Sequence, residues 1–186
     1  MEKIYLVTTQ TLKQNTAINN NVDDYLLTNA IWEAQTIYVQ QATGSKLYNA
    51  VTDKVKNGTI YDASNSAYKL LLDDYIVPVI IYYAWYCAIP QIHYKTLNVG
   101  VNAQNSDNST STSLNEMQYL RNDVLDKAEF YNQRLLDFLK ANKSDYHELT
   151  STQAVDDIRP QSNNYFAGIV FGNDYPCKYN ERVITL

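Results

Sequence analysis

The stretch DDYIVPVIIYYAWYCAIPQI, Asp73 to Ile92, is the most apolar part of the chain. A run of this kind crosses a membrane, forms the centre of a core, or offers a surface to another subunit. Its apolar part, Tyr75 to Ile89, covers about 15 residues and contains Pro78 and four tyrosines, whereas a spanning helix needs roughly 20 mostly apolar residues. A membrane span is therefore not expected. Apolar residues nearly all round a helix require more than one covering layer. Leu72, Ile76, Val79 and Tyr83 are expected to form core. The opposite side, around Tyr82 and Tyr86, is expected to meet the C-terminal tail or a neighbouring subunit.

Working outward, helical spacing begins upstream at Tyr68, Leu71, Leu72 and Tyr75. Pro78 is expected to kink or restart this helix and Pro90 to end it. Before it, Leu47, Val51 and Val55 share one side of a shorter helix that stops at Asn57-Gly58. Earlier still, Leu27, Ala30, Ile31, Ala34 and Tyr38 recur on one face, with Asn21 or a neighbour as cap, Asp23 and Asp24 in the first turn, and Gly44 as a stop. Residues 1–21 are short, polar and Thr/Asn-rich, and read as an N-terminal arm.

Downstream, a β-like piece from Leu97 to Val101 gives way to an Asn/Ser/Thr run that cannot bury enough surface to order itself. The reading is a projecting loop or hairpin, residues 96–113, that orders on a partner; a plain surface loop is the alternative. Ser113 with Glu116 forms a capping box opening the longest helix. Its apolar stripe is Met117, Leu120, Val124, Ala128, Tyr131, Leu135 and Phe138, and its other face carries Arg121, Asp123, Asp126, Lys127 and Arg134 as a solvated surface. From Lys143 the pattern breaks. An apolar, β-prone end, Tyr165 to Phe171 and Val183 to Leu186, either folds back on its own helices or adds a strand to a neighbour.

The expected fold class is mainly α: a helical bundle with one long C-terminal helix, a β-like loop or hairpin excursion and an extended C-terminal tail. The expected divisions are the arm 1–21, a helical domain 22–142 and the tail 143–186.

A net charge of -5, with 15 scattered basic residues, argues against a surface that wraps phosphates. Tyrosine is abundant at 17, which suits half-buried positions and subunit interfaces, or a core that uses Tyr in place of Phe and Leu. The N-terminal residues lack the pattern of a secretory signal, so Cys87 and Cys177 are expected as free thiols in a reducing cytoplasm. No phosphate loop, metal-spaced Cys/His pair or nucleophile elbow occurs. The acidic pairs Asp23-Asp24, Asp73-Asp74 and Asp156-Asp157 are the features that would suit a two-metal site, and helix-end electrostatics and solvation explain them more simply. No cofactor, metal or enzymatic activity is expected.

Three segments carry a resemblance: TTQTLKQNTAINNNVDDYLLTNAIWEAQTIYVQQATGSKLYNAV (Thr8 to Val51), the loop VNAQNSDNSTS (Val101 to Ser111), and EMQYLRNDVLDKAEFYNQRLLDFL (Glu116 to Leu139). Within the first lie Thr8 to Lys13, Asn19 to Asp24, Ala34-Gln35 and Gly44 to Tyr48. The chain resembles, over roughly residues 8–142, the head-tail connector (adaptor or ring) proteins of tailed bacteriophages, of the crAss-like phage type. The resemblance implies a structural virion protein that assembles as a homo-oligomeric, dodecameric ring beneath the portal protein. It would extend the DNA channel and dock the next tail or neck ring protein, with packaged DNA passing without sequence-specific binding. Its place would be the virion neck, and the host cytoplasm during assembly.

On this reading the subunit and portal contacts would come from two regions. The loop would offer Asn98, Val99, Val101, Asn105 and Asp107. The tail would offer Tyr165, Phe166, Ile169, Val170, Phe171, Tyr175, Val183, Ile184 and Leu186. Another neck or tail-completion protein is the nearest alternative, and a small helical metal-dependent hydrolase a more distant one.

Overall fold

The computed structural model describes residues 3–97, 100–103, 114–150 and 157–160. It is mainly helical. The short helix α1 (Thr9–Asn15) begins where the Thr8 hydroxyl accepts the Thr11 amide at 3.1 Å. α2 (Asp24–Glu33) begins at Asp23, whose carboxylate accepts the Tyr25 amide at 3.0 Å, so the cap expected at Asn21 or a neighbour falls two residues later. A π-helical segment, Ala34–Val39, carries α2 into α3 (Gln40–Lys56). Gly44, with φ 78°, breaks α3 near its start, and Gly58, left-handed at φ 71°, follows its last turn.

α4 (Ser66–Leu70), a second π-helical segment (Leu71–Ile76) and α5 (Val77–His93) form one continuous run. Pro78 therefore does not restart the helix. It lacks an N–H and its ring crowds the carbonyl four residues back; the wider π turn just before it makes the room. Pro90 does not end α5, which continues to His93; a proline in the last turn removes a single helical hydrogen bond. Strands β1 (Tyr94–Leu97) and β2 (Gly100–Ala103) pair antiparallel, Tyr94 opposite Ala103. α6 (Leu114–Ala141) follows and, at 1.5 Å per residue, is about 42 Å long. Ser113 of the expected capping box lies outside the described residues.

α5 is the axis of the bundle, packed between α2 with its π extension on one side and α6 on the other. The run Ala63–His93 is long and apolar enough to cross a bilayer by length and composition alone. Its packing accounts for that composition, because no residue from Tyr75 to His93 is exposed. Leu72, Ile76, Val79 and Tyr83 are buried as expected, beside Leu27, Ile31, Leu47, Ile80 and Leu135. Each such aliphatic side chain contributes about 1.5–3 kcal/mol. A small second cluster, Ile89 with Met117 and Val124, continues the contact of α5 with α6.

Two segments differ from the sequence reading. Residues 3–21, read as an arm, include α1 and bury Val7, Leu12 and Ile18 in the main core. Three apolar residues spread through a polar stretch give no periodic signal, yet all three join the same core. Residues 143–150, read as the start of an extended tail, form two 3₁₀ turns around Tyr146, which is buried and gives its hydroxyl to the Ala67 carbonyl at 3.0 Å.

Candidate functional site

The side of α5 assigned to a tail or a neighbour is covered by α6. Tyr82 stacks on Tyr131 with ring centroids 4.9 Å apart, and the Arg121 guanidinium lies 4.2 Å over the Tyr86 ring. Tyr75 stacks on Phe138 at 3.9 Å, while on the other side Tyr83 stacks on Tyr38 at 3.7 Å. The four tyrosines of the opening stretch, Tyr75 on the π turn and the other three on α5, thus act as flat spacers between helices. Arg121 and Arg134, read as part of a solvated face, lie over Tyr86 and Tyr75. Their long stems allow the charge to reach an aromatic face that the periodicity does not reveal. Conversely Leu120, assigned to the apolar stripe, is exposed.

Cys87 is half-buried beside Tyr38. Burial, with the Glu33 charge second, pushes its thiol up to about 11, which keeps it protonated and unreactive at neutral pH. Cys177 lies outside the described residues.

Polar pins hold the chain's outer segments to this core. Gln35, fully buried in the first π turn, accepts the Leu6 amide at 3.2 Å and donates to the Ile4 carbonyl at 2.7 Å and the Tyr48 hydroxyl at 3.1 Å. Lys13 donates to the carbonyls of Asn20 and Val22 and to Asp24, at 3.0, 2.8 and 2.7 Å, closing the loop between α1 and α2. The Tyr68 hydroxyl donates to the Glu148 carboxylate at 2.8 Å, with the Lys54 ammonium 4.5 Å over the Tyr68 ring. Burial first, and Glu148 second, raise the Tyr68 pKa.

The most specific of these pins is a latch at the break in α3. The Ser45 amide donates to the Ile158 carbonyl at 2.9 Å, and the Ile158 amide returns a hydrogen bond to the Ser45 hydroxyl at 3.0 Å. Pro160 sits against Gly44 so closely that a Cβ there would meet its ring at 2.7 Å. Gly44 is thus required twice, for its backbone conformation and for the space it leaves. In the sequence it reads as a helix stop; the partner that makes it a seat lies more than a hundred residues on.

The acidic pairs have structural uses or stand apart. Asp23 caps α2 and Asp24 pairs with Lys13, while Asp73 and Asp74 are exposed on the second π turn. Asp156 lies outside the described residues. Among the described residues no group of three or more His, Cys, Asp or Glu is close enough to hold a metal ion.

Of the proposed contact residues, Val101 lies in β2 opposite Thr96. Asn98, Val99, Asn105, Asp107, Tyr165, Phe166, Ile169, Val170, Phe171, Tyr175, Val183, Ile184 and Leu186 lie outside the described residues. The surface of α6 carries two features that the sequence reading did not single out. Tyr119 and Phe130, eleven residues apart and therefore on one side of a 3.6-residue helix, are 79% and 65% exposed. That spacing is legible in sequence, but a charged face hides two isolated aromatics.

No curated protein and no solved structure matches the chain. A family model does, from the end of the first π turn, through α3 to α6, to the latch at Ile158, so the Ser45–Ile158 hydrogen bonds join the two ends of the matched segment. With residues 39–159 matched, more than half of its length, the chain belongs to the family of unknown function DUF6712.

Proposed function

We propose that this protein is a structural subunit of a phage neck: a head-tail connector that assembles as a ring, twelvefold, beneath the portal and docks the next neck or tail ring. The observation that carries the reading is the resemblance of residues 8–142, whose first and last segments fall on α1 to α3 and on α6, while the loop segment starts in β2 and continues outside the described residues. In this reading the finer architecture is a bundle with a projecting hairpin and a C-terminal tail, both used for contacts with neighbouring subunits and the portal.

Three physical features support it. The net charge of -5 suits a channel wall along which DNA slides without being gripped. A central helix packed between α2 and α6 gives each subunit a stiff body, and closed rings form from heterologous contacts between such bodies. The long helix leaves bulky aromatics on its outer side. The role is mechanical, carries no turnover, and needs neither cofactor nor membrane.

The test is native mass spectrometry of the purified chain, alone and mixed with the portal protein of the same virus. A species of twelve copies, or one that forms on adding portal, is the expected result. A chain that stays monomeric under both conditions overturns the reading. Divalent-metal uptake by calorimetry, lost on changing Asp73 and Asp74 to Asn, would instead support the hydrolase alternative.

A further inference from the structure

The latch gives the end of the chain a direction. Ile158 is bonded to Ser45 and Pro160 lies against Gly44, so the chain runs back along α3 toward the first π turn and α2 as it leaves the described residues. The outer side of that segment lies ahead of it. Tyr25, Asn29, Trp32, Ile37 and Gln41 follow one another at intervals of three to five residues, which puts them on one side of the helix. Tyr25 and Ile37 are 76% and 47% exposed, and none of the five is charged. Charges stand at the margins. Glu33 accepts the Gln91 amide at 3.4 Å, Lys3 lies 5.0 Å over the Trp32 ring, and Asp24 pairs with Lys13 at 2.7 Å beside the capping Asp23. Lys46, Asp157 and Arg159 stand at the latch end. The other exposed aromatics differ. On α6, Tyr119 and Phe130 stand among Asp123, Asp126, Lys127, Glu129 and Arg134, and Tyr61 stands with Leu70 among Asp62, Lys69, Asp73 and Asp74.

An uncharged side that carries aromatic and aliphatic groups suits an uncharged apolar partner, and this chain has one within reach. Residues 163–172 read NNYFAGIVFG, without a charge. Tyr165 comes five residues after Pro160, a reach of about 17 Å in extended chain, and Ile37 lies about 10 Å back from Gly44 along the helix. Extended, Tyr165 to Phe171 covers about 20 Å, against about 18 Å of helix from Ile37 to Tyr25. We propose that Tyr165 to Phe171 dock along the outer side of α2 and the first π turn of their own subunit, with Ile37, Trp32 and Tyr25 beneath them. The latch holds this segment at an effective concentration roughly in the millimolar range, ahead of any untethered occupant. The side-chain amides of Asn29 and Gln41 meet the backbone that an extended segment brings, as Gln35 does for residues 4 and 6. The latch thus aims the tail, and Val183 to Leu186 remain for a neighbour on the ring reading. The inference does not depend on that reading.

The test is limited chymotrypsin cleavage of the full chain under native conditions, over a wide range of protein concentration, with cuts after Tyr165, Phe166 and Phe171 read by mass. Wild type is expected to be cut slowly at these three sites at every concentration. Ile37→Asp, and separately Ile169→Asp, are expected to speed the cuts about tenfold, as loss of an apolar anchor does. Phe130→Asp, on α6, is expected to leave them unchanged. Ile37 and Phe130 are on the surface, so an unchanged thermal melt verifies the fold of those variants. Cutting as fast as in a free peptide of the same sequence overturns the proposal. So does protection that survives Ile37→Asp, or that Phe130→Asp removes. Protection that fades on dilution puts the segment on a neighbour and also overturns it. The number of copies by native mass spectrometry tests the ring reading separately, whichever way the cleavage result falls.

Discussion

Around α5 the contacts are between apolar and aromatic surfaces: Ile80 and Leu135 are fully buried, and Tyr75, Tyr82 and Tyr83 stack on Phe138, Tyr131 and Tyr38. At the break in α3 the contacts are two hydrogen bonds and a proline ring seated on a glycine. The centre depends on filling volume from every direction, so its energy is spread over many neighbours. The latch depends on a few atoms in a set arrangement. A substitution that removes volume should therefore damage the first, and one that adds a single atom should damage the second.

The largest effect is expected at the centre. Ile80→Ala removes a fully buried branched side chain from the first turn of α5 and is expected to cost about 2–5 kcal/mol in urea or guanidinium unfolding. A loss below about 1 kcal/mol would show that α5 is not the packed axis and would remove the contrast with the latch.

At the latch the opposite substitution matters. Gly44→Ala places a Cβ where φ is 78° and where Pro160 stands at 2.7 Å. The strained backbone alone is expected to cost about 1–3 kcal/mol, with the clash in addition. Pro160→Ala removes the ring that the new Cβ would meet, so the double variant is expected to be more stable than the sum of the single losses predicts. Additive losses in this cycle would place the cost in the backbone of Gly44 alone and would take Pro160 out of the latch.

The same contrast marks what was legible in the sequence. Helical spacing located α2, α3, α5 and α6, because a buried face repeats every three to four residues and apolar side chains announce it. It named Leu72, Ile76, Val79 and Tyr83 as core, and all four are buried. It did not find the latch or the Gln35 pin. Each joins residues far apart in sequence through one or two polar atoms, and a single Gly, Ser or Gln has no period. It also placed Tyr82 and Tyr86 against a tail or a neighbour because an apolar helix was matched to too few layers; α6 supplies the missing one, partly through Arg121. The residues assigned to loop and tail contacts are a different matter, since all but Val101 lie outside the described residues.

A smaller effect, expected on raising pH, separates the two regions by chemistry. The centre and its edge hold ionisable groups in their neutral forms: burial, with Asp145 second, pushes the Tyr146 hydroxyl up to about 12, and burial pushes the Cys87 thiol up to about 11, from ordinary values of 10.0 and 9.0. The unfolded chain therefore releases these protons first as pH rises. Their contribution is fully present below about pH 9 and is lost as pH climbs toward 12, so the stability curve should fall along this alkaline limb. Ser45, Gly44, Ile158 and Pro160 have no side chain that titrates in that window, so proteolytic protection of the latch should decline only as the whole domain unfolds. Tyr146→Phe removes one of the titrating groups and the hydrogen bond to Ala67, and is expected to lower stability at neutral pH by about 1 kcal/mol. It should also flatten the alkaline fall in unfolding midpoints measured from pH 7 to 12. An alkaline limb of unchanged slope in this variant would mean that the phenol is not held neutral by the fold, and would leave its hydrogen bond to α4 as the whole of its contribution.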